Sequence, residues 1–208
     1  MEYDHNRVGI YGGTFAPAHI GHVEAAKAFM EQMKLDYLFI IPTAIPPHKQ
    51  IDASDDPVHR LRMCELAFEG IDGVIISDTA IRDGGKMSLV DILKELCRPD
   101  TRLFWLCGTD EVLNFDKRSD YKEILSLCYP NYYRRENDPI ITELVVAKIT
   151  KIYKENGVMF RRIVTEPKTI LPSQIRKKVL VGEDISDLVA PAVARFIKEN
   201  ELYLEEPK

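Results

Sequence analysis

At 208 residues, 45% hydrophobic and 29% charged, with 11 Gly and 12 Pro, the chain has an ordinary globular composition, which excludes a low-complexity or disordered protein. Its 28 basic against 33 acidic residues leave a net charge of −5. That is the wrong sign for a face that grips duplex phosphates, so nucleic acid is not an expected partner, whereas a small phosphate ligand needs only a local site.

In chain order, Val8–Tyr11 is a short apolar run ending at Gly12-Gly13, and a helical pattern follows from about His19 to Met33. Tyr37–Ile41 predicts a second strand, ended by Pro42 and the Pro46-Pro47 loop. Asp56 before Pro57 predicts a capped helix that carries Leu61, Cys64, Leu66 and Phe68 toward a core. Val74–Ser77 reads as a third strand, Leu89, Leu93 and Leu96 as the apolar face of a helix, and Leu103–Cys107 as a fourth strand stopping at Gly108. Further on, Asp138-Pro139 opens a long helix through Tyr153 that Asn156-Gly157 closes. Val158–Thr165 predicts another strand, and helices are expected near Ser173–Val181 and Pro191–Glu199. Strands alternating with helices imply βαβ units. The expected fold is a doubly wound, Rossmann-like α/β domain over residues 1–208, with a parallel sheet and C-terminal helices packed beside its switch point. Cys64, Cys97, Cys107 and Cys128 have no CxxC spacing and read as reduced core thiols. No apolar stretch approaches the ~20 residues that span a bilayer, and Glu2 and Asp4 do not open a secretion signal. No membrane partner is expected, and the expected location is cytoplasmic.

The chemistry concentrates in Gly12-Gly13-Thr14-Phe15-Ala16-Pro17-Ala18-His19-Ile20-Gly21-His22, between the first strand and the first helix. Open α/β sheets place ligands at the carboxyl ends of their strands. Glycines admit a phosphate close to the backbone, and a helix start adds N–H donors and partial positive charge. His19 and His22, three apart, share one face of the first turn. The segment is neither a Walker loop nor GxGxxG. No third ligand at metal spacing accompanies the histidines, so no protein metal site is expected.

Gly12–Phe15 with His19-Ile20-Gly21-His22 resembles the signature of the nucleotidylyltransferase superfamily, and the chain as a whole resembles its bacterial nicotinate mononucleotide adenylyltransferases. Three further blocks support that likeness: Pro42-Thr43-Ala44-Ile45-Pro46-Pro47-His48-Lys49, Gly108-Thr109-Asp110, and Ser173-Gln174-Ile175-Arg176 with Gly182, Ile185, Leu188-Val189, Pro191 and Asn200–Tyr203. The resemblance implies transfer of AMP from ATP to nicotinate mononucleotide, with Mg²⁺ accompanying ATP. By the same likeness His19 and His22 are the catalytic pair, and Gly12, Gly13, Thr14, Phe15, Ser173 and Arg176 bind ATP phosphates. Lys49, Gly108, Asp110 and Arg118 are the implied acceptor side. The alternatives are an adenylyl- or cytidylyltransferase with another phosphorylated acceptor, such as nicotinamide mononucleotide, or a non-catalytic nucleotide sensor of the same fold. His19–His22 with Lys86-Met87-Ser88 also resembles the two signatures of class I aminoacyl-tRNA synthetases, but Leu89-Val90 replaces the second lysine and no tRNA-binding domain has room.

Four positions depart from the family pattern. Ala16 replaces an Asp, Met87-Ser88-Leu89 a Ser-Tyr-Thr, Arg118 a Trp, and Tyr129-Pro130-Asn131 an Arg-Pro-Gly. The ATP motifs are intact while the acceptor motifs are altered. If Arg118 reaches the acceptor it should meet the carboxylate at the ring edge and favour nicotinate over nicotinamide by at least about tenfold. Otherwise it is one of several solvated charges in Asp116–Asp120.

Overall fold

The computed structural model describes residues 6–44, 56–134, 137–165 and 170–204. Six strands, β1 (Asn6–Gly13), β2 (Tyr37–Pro42), β3 (Val74–Ile76), β4 (Thr101–Gly108), β5 (Tyr129–Tyr133) and β6 (Arg161–Ile163), form one parallel sheet in the order β3-β2-β1-β4-β5-β6. This is the doubly wound order expected from the alternation of strands and helices, and it reverses at β1 and β4. Those two strands end in the glycines of the first motif and in Gly108. The helices are α1 (Ile20–Met33), α2 (Pro57–Ala67), α3 (Thr79–Arg82), α4 (Leu89–Leu96), α5 (Thr109–Asn114), α6 (Tyr121–Leu127), α7 (Pro139–Asn156), α8 (Pro172–Leu180) and α9 (Pro191–Glu199). Among the described residues, no helix is long and apolar enough to cross a membrane.

The chain divides into two compact units. One holds Met1–Tyr11, Ala25–Phe39 and Met87–Lys168. Its core is the buried run Leu103–Cys107 of β4 with an aromatic cluster on it. Trp105, Phe115 and Phe160 pack with ring centroids 5.1 to 6.3 Å apart, close enough for each pair to add to its area burial. Asp138 caps α7 by accepting from the amides of Ile140 (2.8 Å) and Ile141 (3.3 Å), and Gly157 ends it at φ 72°, both as predicted. Ser88 caps α4 in a capping box with Asp91, which gives the departure at Met87-Ser88-Leu89 a local structural role. The predicted strand Val158–Thr165 shrinks to Arg161–Ile163, because Phe160 turns into the aromatic cluster.

Strand β5 is the strand that sequence patterning missed, and the short helices α3, α5 and α6 were not expected from it either. Its Pro130 pairs with Trp105 of β4, while β6 begins pairing only at Asn131, so Pro130 borders a stretch with no partner on its other side among the described residues. Asn131 is fully buried and donates to the carbonyls of Tyr129 (2.7 Å) and Trp105 (3.4 Å). Tyr129-Pro130-Asn131, compared above with the family's Arg-Pro-Gly, is therefore sheet backbone.

The other unit holds Gly12–Glu24, Ile40–Lys86 and Thr169–Lys208. Asp56 caps α2 as predicted, its carboxylate accepting from the Val58 amide at 2.7 Å. The buried face of α2 differs from the expectation. It is Arg60, Met63, Cys64 and Ala67, with Leu61 and Leu66 only half-buried. The helix has been turned so that an arginine points inward. α8 and α9 complete this unit, as the C-terminal blocks required. Cys64, Cys107 and Cys128 are buried, whereas Cys97 is exposed. Burial pushes Cys64 far above the ordinary thiol range and Cys128 up to about 12, so both are inert as nucleophiles at neutral pH.

Candidate active site

In the second unit β1 runs out at Gly12-Gly13, where the Gly13 carbonyl accepts from the Thr43 amide at 2.9 Å. Phe15 then takes a left-handed conformation (φ 50°) and buries its ring. A side chain at Gly13 would lie 3.0 Å from that ring, so only glycine lets Phe15 fold back over the turn. The ring meets His22 edge-on at 4.9 Å and Phe68 at 6.4 Å.

α1 begins at Ile20, which leaves His19 as the residue that accepts the first helical bonds, from His22 (2.9 Å) and Val23 (3.3 Å). The two imidazoles stack at 3.5 Å with planes 22° apart, and each residue is 6% exposed. Gly21 makes room for the stack, since a Cβ there would lie 3.2 Å from the His19 ring. The His19 amide donates to Nδ1 of His22 at 3.3 Å. With Nδ1 an acceptor, neutral His22 carries its proton on Nε2, which makes that atom a hydrogen-bond donor.

α8 brings the C-terminal motif to the same turn. Arg176 donates through Nη1 to the carbonyl of Ala16 at 2.7 Å. Ala16 is buried, and its backbone oxygen is one that any residue at this position would offer. Ser173 is exposed in the first turn of α8, and among the described residues no side chain caps that helix. A helix start of this kind favours an anion. The second unit therefore gathers Gly12, Gly13, Thr14, Phe15, His19, His22 and Arg176 into one set of contacts, with Ser173 one turn before Arg176 on α8. Lys49 lies outside the described residues.

Gly108, Asp110 and Arg118 belong to the first unit. Gly108 precedes α5 in extended conformation, Thr109 is buried, and Asp110 is exposed in the first turn. Arg118 is held by acids of its own chain. Its Nε and Nη2 donate to the two oxygens of Asp120 and its Nη1 to Glu111, all at 3.0 Å. Burial works against the guanidinium charge, but Asp120 and Glu111 outweigh it and hold Arg118 above its ordinary value, while Arg118 pulls Asp120 down. It is therefore not the solvated loop charge that sequence allowed for. Arg60, fully buried on α2, is a residue beside the turn that sequence reasoning did not single out; its one signal was a charge at a position that the Met63, Cys64, Ala67 spacing turns inward.

Comparison with known proteins narrows what this arrangement is. The cytidylyltransferase-like family model matches residues 10–178. A protein of Desulfatibacillum aliphaticivorans named a probable nicotinate-nucleotide adenylyltransferase is 33% identical over 217 residues, covering 95% of this chain and 100% of that one. One of the same name from Borreliella burgdorferi is 35% identical over 206 residues, covering 96% and 97%. Among solved structures, the nicotinic acid mononucleotide adenylyltransferase of Plasmodium falciparum complexed with NaAD superposes with a TM-score of 0.69 at 19% identity, over 97% of this chain and 100% of that one. That similarity supports the fold, and the sequence relatives carry the family. The chain belongs to the cytidylyltransferase-like family and, within it, to the nicotinate-nucleotide adenylyltransferases.

Proposed function

We propose that this protein transfers AMP from ATP to nicotinate mononucleotide, releasing pyrophosphate and forming nicotinate adenine dinucleotide for NAD synthesis. The observation that carries the reading is the stacked His19–His22 pair at the head of α1, beside the glycine turn and Arg176. An oxygen of the acceptor's 5′-phosphate attacks the α-phosphorus of ATP, and the bond to the β-phosphate breaks as pyrophosphate leaves. The attacking phosphate is already ionised at pH 7, so the reaction needs no general base and no protein nucleophile. What it needs is alignment and stabilisation of charge moving onto the leaving group. The Nε2–H of His22 is such a donor, with His19 stacked on it. The backbone of Gly12–Phe15, the Thr14 hydroxyl, Ser173 and Arg176 hold phosphate oxygens. Arg176 reaches them from the Ala16 carbonyl, and its fork suits phosphate geometry.

Gly108, Asp110 and Lys49 serve the acceptor, and Arg118 serves it by fixing Glu111 beside Asp110. Among the described residues no three His, Cys, Asp or Glu side chains gather to hold a metal ion. The donor set here is imidazole, guanidinium and amide, which suits phosphate oxygens. Mg²⁺ would come with ATP, where it would supply neutralisation of phosphate charge. The enzyme works in the cytoplasm. One observation favours a second reading with nicotinamide mononucleotide as acceptor: Arg118, the cation expected to meet the nicotinate carboxylate, already faces two carboxylates. The test is pyrophosphate release from ATP and Mg²⁺ with each mononucleotide. Release dependent on nicotinate mononucleotide supports the proposal, and none with either acceptor overturns it.

A further inference from the structure

Arg60 is 0% exposed and heads the fully buried side chains by volume. It stands on the inward face of α2 between apolar neighbours, and there its Nη1 donates to the carbonyl of Thr14 and its Nη2 to the carbonyl of Ala44, both at 2.9 Å. Thr14 belongs to the turn after β1, and Ala44 to the chain leaving β2. Below the fork, the Thr43 amide already ties to the Gly13 carbonyl at 2.9 Å. Phe15, next to Thr14, sits in the left-handed region, a conformation a non-glycine residue keeps only where its surroundings hold it. Buried charged groups can often be replaced by apolar side chains of similar volume without loss of stability, so stability alone does not call for an arginine here. The guanidinium offers something such a residue cannot, a rigid plane whose two ends set the spacing of two carbonyls. Lysine keeps the charge but reaches them as a single point.

We propose that Arg60 is a positioning residue for adenylyl transfer, its fork fixing the phosphate-binding turn Gly13–Phe15 against the backbone at Ala44. The inference rests on the activity proposed above. A turn displaced by a fraction of an ångström leaves ATP bound but misaligned, so the loss belongs mainly in kcat.

The test compares Arg60→Lys with Met63→Ala, a cavity variant at another fully buried position of α2, by thermal melting, by the melting shift ATP induces, and by steady-state pyrophosphate release. The expected result is an Arg60→Lys protein that melts cooperatively and still shifts with ATP, with kcat at least tenfold down. Met63→Ala, at an equal or larger loss of Tm, should keep kcat within about twofold. Wild-type kinetics in Arg60→Lys would overturn the inference. So would an equal loss of kcat in Met63→Ala, or an Arg60→Lys chain that does not fold, because either would make Arg60 a stability residue. A wild type that binds ATP but releases no pyrophosphate would overturn the proposed activity and this inference with it.

Discussion

His22 shows how much chemistry a single ring can be asked to supply. If its Nε2–H follows charge onto the departing pyrophosphate, His22→Ala should lower kcat by about 10²-fold or more, with little change in the KM for ATP and an unchanged fold by circular dichroism. A variant within a few-fold of wild type would remove His22 from the mechanism. Both histidines were legible in sequence because their spacing and the glycines around them encode the turn directly. Arg118 was legible as a departure but not in its role, since its partners Glu111 and Asp120 are ordinary surface acids until the fold collects them. Held by two carboxylates, it is a poor reader of a third. Arg118→Gln should therefore raise the acceptor KM several-fold by loosening Glu111 beside Asp110, while the nicotinate-to-nicotinamide ratio of kcat/KM stays within about twofold. Collapse of that ratio would mean that the guanidinium leaves its acids to bind the substrate.

At the scale of elements, α7 is secured by charge as well as by packing. Lys148 (2.6 Å) and Lys151 (2.9 Å) both donate to Asp116 in the short 3₁₀ turn after α5. The hydrogen bond from Lys148, then that from Lys151, lower the Asp116 pKa from 3.8 to about 2. A carboxyl more acidic in the folded than in the unfolded state stabilises fully above the unfolded value near ~4, and the gain is lost as pH falls from there toward 2. Asp116→Asn should therefore cost roughly 1 to 2 kcal/mol near pH 7, discounted for screening at the half-exposed Lys151. In paired melts the gap between variant and wild type should narrow as pH drops from 5 to 3, and a constant gap would contradict the assignment. The caps of α2 and α7 could be read beforehand because Asp-Pro and Asn-Gly act locally. β5 could not, because Pro130 and Asn131 argue against a strand until Trp105 and Tyr129 accept the amide protons of Asn131. For the same reason the inward face of α2 is only partly legible: Cys64 and Phe68 are buried as expected, but nothing local announces that an arginine will be buried against two carbonyls.

At the scale of the whole molecule, every ATP motif read from sequence falls on a turn or helix start suited to phosphate. Of the positions that depart from the family pattern, Ser88 caps a helix, Tyr129–Asn131 lies in strand β5 and Arg118 is locked by two acids, while nothing in the structure explains Ala16. The residues at the proposed phosphate site keep the family's motifs, and three of the four departures lie on the proposed acceptor side. The most direct test is to give the purified protein ATP, Mg²⁺ and equimolar nicotinate and nicotinamide mononucleotides, then to measure each dinucleotide by mass together with pyrophosphate. The account predicts nicotinate adenine dinucleotide as the main product, one pyrophosphate per dinucleotide, and no turnover once Mg²⁺ is chelated. Preferential formation of nicotinamide adenine dinucleotide, or ATP consumed with neither product, would contradict it.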